Sequence, residues 1–209
     1  MFKGVINNAP KFLKYPNSRN YTMTSISKGW YSKKIVPDVI DQPPTGKLVI
    51  EYPDVSIHEG YPIVYPSQVK EPPEVYWKVR EHGVYCTLCM LDPDAPSRRK
   101  NYLGEWLHWL VGNIADYQVD RGDILAEYIG AGPPRGTGLH RYIFLLYKQP
   151  SKMHFNETKL TNQYWKGREK FSMRKFALKY KLGVPYAGNY FEAEYDEYVD
   201  ELHKQLKLK

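Results

Sequence analysis

Short apolar segments recur down this chain, cut apart by clusters of Pro, Gly and Asp, and no helical period falls between them until late. Residues 47–52, 61–65, 75–79, 84–91, 106–111 and 139–147 read as strands, because β-branched and aromatic residues fill them and turn-formers bound them. Helical spacing comes only afterwards. Residues 168–182 carry Phe171, Phe176 and Tyr180 before a stop at Gly183 and Pro185, and a terminal run from Glu192 sets Tyr195, Val199, Leu202 and Leu206 on one stripe. Strands first and helices last, without βαβ alternation, predict a mainly β (α+β) domain with helices packed at one side.

At 209 residues the chain suits one domain plus an arm. A hydrophobic share of 42%, a charged share of 25% and a mean hydropathy of -0.60 exclude a disordered chain and argue against a membrane-embedded one. No stretch approaches the roughly 18 apolar residues of a spanning helix, so peripheral membrane contact is the most to expect. The formal charge of +7 is carried by Lys3, Lys11, Lys14, Arg19, Lys28, Lys33 and Lys34, all ahead of the first acid, Asp38. The rest balances 23 basic against 23 acidic residues, which excludes a phosphate-tracking nucleic-acid surface. We therefore divide the chain into a basic extension, 1–28, and a domain, 29–209. The extension has presequence-like composition, but Pro10 and Pro16 break any helix in it and Met23 offers a second start. The expectation is a cytoplasmic protein, with a mitochondrial one as the alternative if the arm is a presequence.

Cys86 and Cys89 are the two cysteines, too few for a disulfide scaffold. Their C-x-x-C spacing invites a metal or redox reading, yet they lie in the strand-like VYCTLCML, where residues three apart face opposite ways. Buried structural thiols are expected.

Polar chemistry gathers in three pieces. Asp92-Pro93-Asp94-Ala95-Pro96 leaves a strand into a proline-stiffened loop, either a mount for two acids or a solvated turn. Glu105-Trp106-Leu107-His108-Trp109 alternates, placing Trp106 and His108 on one face and Leu107 and Trp109 partly on the other. The glycine- and proline-rich loop from Gly130 to Gly138 opens into a strand with His140, Tyr142 and Phe144 on one side and Arg141 and Ile143 on the other. Lacking a G-K-[ST] ending and a following helix, that loop is not a nucleotide-binding loop.

DPDAPSR at 92–98, EWLHW at 105–109 and YIGAGPPRGTGLHRY at 128–142, in this order, resemble the signature of the phosphatidylethanolamine-binding protein family, which includes the Raf kinase inhibitor proteins. The similarity runs from about Gly29 to the C-terminus, and the terminal AEYDEYVDELHKQL resembles the animal members. The resemblance implies a large antiparallel sheet packed on a smaller one with C-terminal helices. It implies a pocket for the phosphate of phosphatidylethanolamine or another phosphate-bearing headgroup, lined by Asp92, Asp94, Pro96, Trp106, His108, Gly132, Pro133, His140 and Tyr142. His203 stands where animal members often place a tyrosine near the pocket mouth, and facing the pocket it would raise anion affinity as pH falls.

The expected function is that of a monomeric, non-enzymatic binding protein without a cofactor, modulating kinase signalling or lipid handling, with protein kinases or serine proteases as partners. The alternatives are a serine protease inhibitor and a metal-dependent phosphoester hydrolase, the latter because two aspartates and two histidines converging on phosphate could hold a cation. Against an enzyme stand the absence of G-x-S-x-G and H-E-x-x-H and of any nucleophile beside a base in sequence.

Overall fold

The computed structural model describes residues 23–58 (side chains from Lys28), 62–78 and 83–207. In chain order the elements are α1 (Met23–Ser32), α2 (Ile35–Asp38), β1 (Gly46–Glu51), β2 (Ser56–Ile57), β3 (Ile63–Val64), β4 (Glu74–Trp77), β5 (Tyr85–Asp92), β6 (Trp106–Ala115), β7 (Asp123–Ala126), β8 (His140–Lys148), α3 (Met173–Lys179), β9 (Ala187–Ala193) and α4 (Tyr198–Gln205). Most of the expected basic extension, together with Tyr61 and Val79 of two expected strands, lies outside the described residues.

The large sheet runs β9-β8-β5-β6-β7, antiparallel throughout. β1 joins β9 in parallel through Gly46 and Lys47 alone, then leaves to pair antiparallel with β4 and β2. This departure creates the smaller sheet. Leu48, Ile50 and Trp77 from it pack against Leu88, Met90 and Phe144 of the large sheet in one continuous core. The opposite face, with Cys89, Leu91, Ile143 and Leu145, is covered by Trp30, Ile35 and Val39 near the N-terminus and by Met173 and Phe176 of α3. A central strand buried on both faces needs apolar side chains at successive positions, which is why β5 and β8 read as unbroken apolar runs. Each large aliphatic or aromatic side chain so buried contributes roughly 1.5–3 kcal/mol.

Several boundaries differ from the sequence reading. α3 starts at Met173, not 168, because Ser172 caps its N-terminus by accepting the Lys175 N–H, and Arg168 goes elsewhere. α4 starts at Tyr198; Glu192 and Ala193, expected at the head of a helix, belong to β9. β2, β7 and β9 had no counterpart in the reading. The backbone of α1 runs across the expected boundary at residue 29, and Trp30 packs edge-on to Tyr190 of β9 with ring centroids 5.1 Å apart. Gly188 makes this possible, since a Cβ there would meet Trp30 Cη2 at 2.8 Å and Pro44 Cγ at 2.9 Å.

The cysteines follow the strand-parity argument. Both are free and buried, Cys86 in the core between the sheets and Cys89 in the core beneath the helices. Burial pushes the Cys86 thiol up to about 11, against a smaller opposing effect of Lys148, and drives Cys89 higher still. Reactivity follows the thiolate. Ellman's reagent is therefore expected to titrate neither thiol in the native protein and both in denaturant; rapid labelling of either in the native state would contradict this packing.

Candidate functional site

β5 ends and β8 begins side by side, and their side chains separate by parity. On β8, His140 and Tyr142 take one side and Arg141 the other. His140 Nδ1 lies 2.8 Å from Asp92 Oδ2, while Asp92 Oδ1 accepts the Asp94 N–H at 2.7 Å. His140 Nε2 lies 2.9 Å from Thr137 Oγ1, whose hydroxyl donates to the Pro134 carbonyl at 2.7 Å. With its proton on the Pro134 carbonyl, the Thr137 hydroxyl is an acceptor toward His140 Nε2.

β6 contributes Trp106 and His108. Met90 pairs with Trp109 but Leu91 with Leu107, so His108 is the extra residue of a β-bulge. The bulge corrects the simple alternation: Trp109 joins the core between the sheets, whereas Leu107 turns to the helical side. The His108 ring sits 4.5 Å from that of Trp106 and 5.1 Å from that of Tyr142, centroid to centroid. Its Nδ1 lies 2.8 Å from the Ile129 carbonyl oxygen, which fixes Nδ1 as the donor and Nε2 as the lone-pair nitrogen. Burial lowers its pKa to about 4, only partly opposed by the Asp92 charge, so the ring is neutral at pH 7.

Tyr142, fully buried and stacked on Phe191, accepts the Gly132 N–H at 3.2 Å and keeps its hydroxyl proton to donate. His203 Nε2 donates to the Gly132 carbonyl at 2.9 Å, tying α4 to the glycine loop. A Cβ at Gly132 would meet Leu202 Cδ2 at 2.9 Å, so a larger residue there would have to displace the Leu202 side chain.

Asp92, Trp106, His108, His140 and Tyr142 thus form one buried cluster, with Gly132 on its edge and His203 beyond Gly132. Pro133 is buried in the glycine loop. Pro96 is half-buried in the aspartate loop, where Ala95 packs on the Trp106, Ile129 and Leu202 side chains. Asp94 turns away. Its carboxylate accepts from Arg141 Nε and backbone N at 2.9 Å each and from Nη2 at 2.6 Å. Arg141 Nη1 in turn donates to the carbonyls of Lys33 and Lys34 and to Asp38 Oδ2, at 2.8, 2.9 and 2.9 Å. Asp94 is therefore the counter-ion of a clamp on the N-terminal segment.

Sequence reasoning missed the clamping role of Arg141 and missed Arg168 altogether. Strand alternation did place Arg141 behind His140, but its partners come from distant loops. Arg168 is fully buried and donates to four carbonyls, of Leu107, His108, Glu127 and Thr161. Its Nε has no partner, and burial lowers its pKa to about 10. Among the described residues no carboxylate accepts a hydrogen bond from it, although the nearby Glu127 charge partly offsets the effect of burial, and its guanidinium stands beside the His108 backbone. Among the described residues no three of His, Cys, Asp and Glu converge as a metal-ligand set.

Comparison with known proteins agrees with the motifs. The family model for phosphatidylethanolamine-binding protein matches residues 60–191. The chain belongs to that family. A curated relative, putative odorant-binding protein A5 of Drosophila melanogaster, is 37% identical over 174 residues, 83% of this chain and 82% of the relative. The solution structure of CG7054 is 42% identical with a TM-score of 0.67, covering 83% of this chain and 98% of its own. Carboxypeptidase Y inhibitor, solved in complex with its cognate proteinase, is 26% identical with a TM-score of 0.70, over 83% and 97%. The family fold is the one described above, a large sheet with a smaller one and few helices.

The clamp gives a stability prediction. Burial alone would raise the Asp94 pKa, but hydrogen bonds and charge from Arg141 bring it below its usual value. The contribution is then complete above the unfolded value of about 3.9 and is lost as pH falls through the lower folded value. Asp94→Ala, which removes the buried counter-ion and leaves the guanidinium only the more exposed Asp38 carboxylate, is expected to cost about 3 kcal/mol at pH 7, the low end of the range for breaking a buried pair, read from urea unfolding. A loss below about 1 kcal/mol, small beside that range, would show that the clamp is not what holds the segment.

Proposed function

We propose that this chain is a non-enzymatic binding protein that takes phosphate-bearing headgroups, phosphatidylethanolamine among them, at the Asp92–His108–His140–Tyr142 cluster, in the service of lipid handling or kinase signalling. What carries the reading is the composition of that cluster: buried donors and a lone-pair imidazole between fixed backbone dipoles, with the cation of Arg168 behind His108 and the Thr137 hydroxyl beside His140 directed to the Pro134 carbonyl. The Tyr142 hydroxyl donates to a phosphate oxygen, and Trp106 offers an aromatic wall for an ammonium group. Protease inhibition is the second reading, supported by the likeness to carboxypeptidase Y inhibitor; inhibition of carboxypeptidase and trypsin-type enzymes tests it directly.

The charge state of His108 sharpens the proposal. A neutral ring that already donates its Nδ1 proton can only accept at Nε2, so a phosphate must bring a proton or His108 must take one up. Binding of O-phosphorylethanolamine is therefore expected to strengthen about tenfold per pH unit on going from pH 8 to 6, with about one proton absorbed, as calorimetry in buffers of different ionisation enthalpy would report. His108→Ala and Asp92→Ala should each weaken it at least about tenfold, the scale of one charge-assisted hydrogen bond, with the fold intact. A pH-independent affinity, or full binding by both variants, defeats the assignment.

A further inference from the structure

A second feature lies apart from the buried cluster. A groove of about 1290 Å³ runs between β4, the Lys70–Pro73 turn, the segment after β6 and α4. Ile129 and Gly130 border it, but Asp92, His140 and Tyr142 do not line it. Beneath it lie the buried side chains of Trp109, Val111, Tyr128 and Ile129, and at its rim Tyr117 and Ile124 are 40% and 43% exposed. The charge is one-sided: Glu71, Glu74, Asp120 and Glu127 face a single cation, Lys70, whose Nζ lies 4.4 Å from the centre of the Tyr198 ring. Among the described residues Glu71 and Asp120 have no cationic partner within ion-pair distance.

We propose that this groove is the docking site, within the same molecule, of the chain's own residues 1–22. Three observations select that occupant. The groove exceeds the roughly 300–1,000 Å³ of small-ligand pockets, which suits a peptide better than a metabolite. Its acidic rim disfavours phosphates and fatty acids and favours a cationic segment. Residues 1–22 carry Lys3, Lys11, Lys14 and Arg19 without one acid, and interleave them with Phe2, Phe12, Tyr15 and Tyr21, which can pack on the exposed Tyr117 and Ile124 of the rim. Reach is no obstacle. Twenty-two residues span at most about 70 Å, against a radius of gyration of about 16 Å for a domain of this size. The groove opens on the smaller-sheet side and α1 lies on the other, so the segment would pass round the sheet edge. The proposal is independent of the headgroup reading.

The test uses the full chain. Ser18→Cys provides a site for a nitroxide label, because Cys86 and Cys89 are buried. Amide signals of Tyr76, Tyr117, Asp120 and Glu127 are expected to broaden, and those of Met173–Lys179 to stay sharp. Glu71→Lys with Asp120→Lys should abolish the broadening, and Lys11→Glu with Lys14→Glu added to that variant should restore it. Both acids are exposed, so the fold should tolerate reversal; unchanged core shifts check this, and the milder Glu71→Gln with Asp120→Asn keeps the test available. Broadening spread evenly over the surface, or indifferent to charge reversal, overturns the proposal. Broadening seen in a mixture of nitroxide-labelled and separate isotope-labelled molecules, but not within one molecule, replaces it with docking between copies.

Discussion

A buried guanidinium that has to be satisfied organises this molecule. Arg141 lies next to His140 on β8, and because successive side chains on a strand face opposite ways, one residue serves the polar cluster and the other the clamp. The aspartate loop repeats the arrangement, with Asp92 bonded to His140 and Asp94 to Arg141. Two parallel carboxylate-anchored hydrogen-bond systems thus share one pair of strand ends. Lys33, paired with Glu192, and Arg98, within 3.4 Å of both Asp94 and Glu192, extend the clamp across β9. Geometry at the cluster and attachment of the N-terminal segment are held by the same backbone.

The two histidines of the cluster meet different partners. His140 is set between the Asp92 carboxylate and the Thr137 hydroxyl. His108 is set against a carbonyl in a desolvated aromatic niche, an environment suited to a neutral ring. Arg168, hydrogen-bonded to four carbonyls and only partly offset by the charge of Glu127, adds positive potential and works against protonation of His108. Burial and the Arg168 charge together hold His108 uncharged at neutral pH.

Much of this was legible in the sequence. The three motifs, the cysteine parity and the strands that became β5, β6 and β8 came from residue types and spacing alone. What escaped did so for physical reasons. β9 contains Gly188 and Asn189, poor strand formers, and is buried on both faces, so it has neither propensity nor alternation to show. The bulge at His108 is a matter of register between two strands and leaves no mark within one. Asp94 belonged with Asp92 by composition, and only the fold reveals that two residues along a loop reverse its direction. Arg168 fell inside an apparent helical period, and its four carbonyl partners come from three separate segments of the chain.

The place of β9 in the sheet also bears on how the chain can assemble. It is the last strand to be made, yet it lies inside the sheet, pairing with β8 on one side and with β1 and β3 on the other. The N-terminal smaller sheet thus has no edge to join until the final quarter of the polypeptide has emerged. Such long-range closure carries an entropic cost that local contacts do not offset, and during synthesis it leaves the edges of β1 and β8 waiting for a common partner. Translation order and spatial order are at odds in this fold, and the C-terminal strand is the one that lets the N-terminal half take its place.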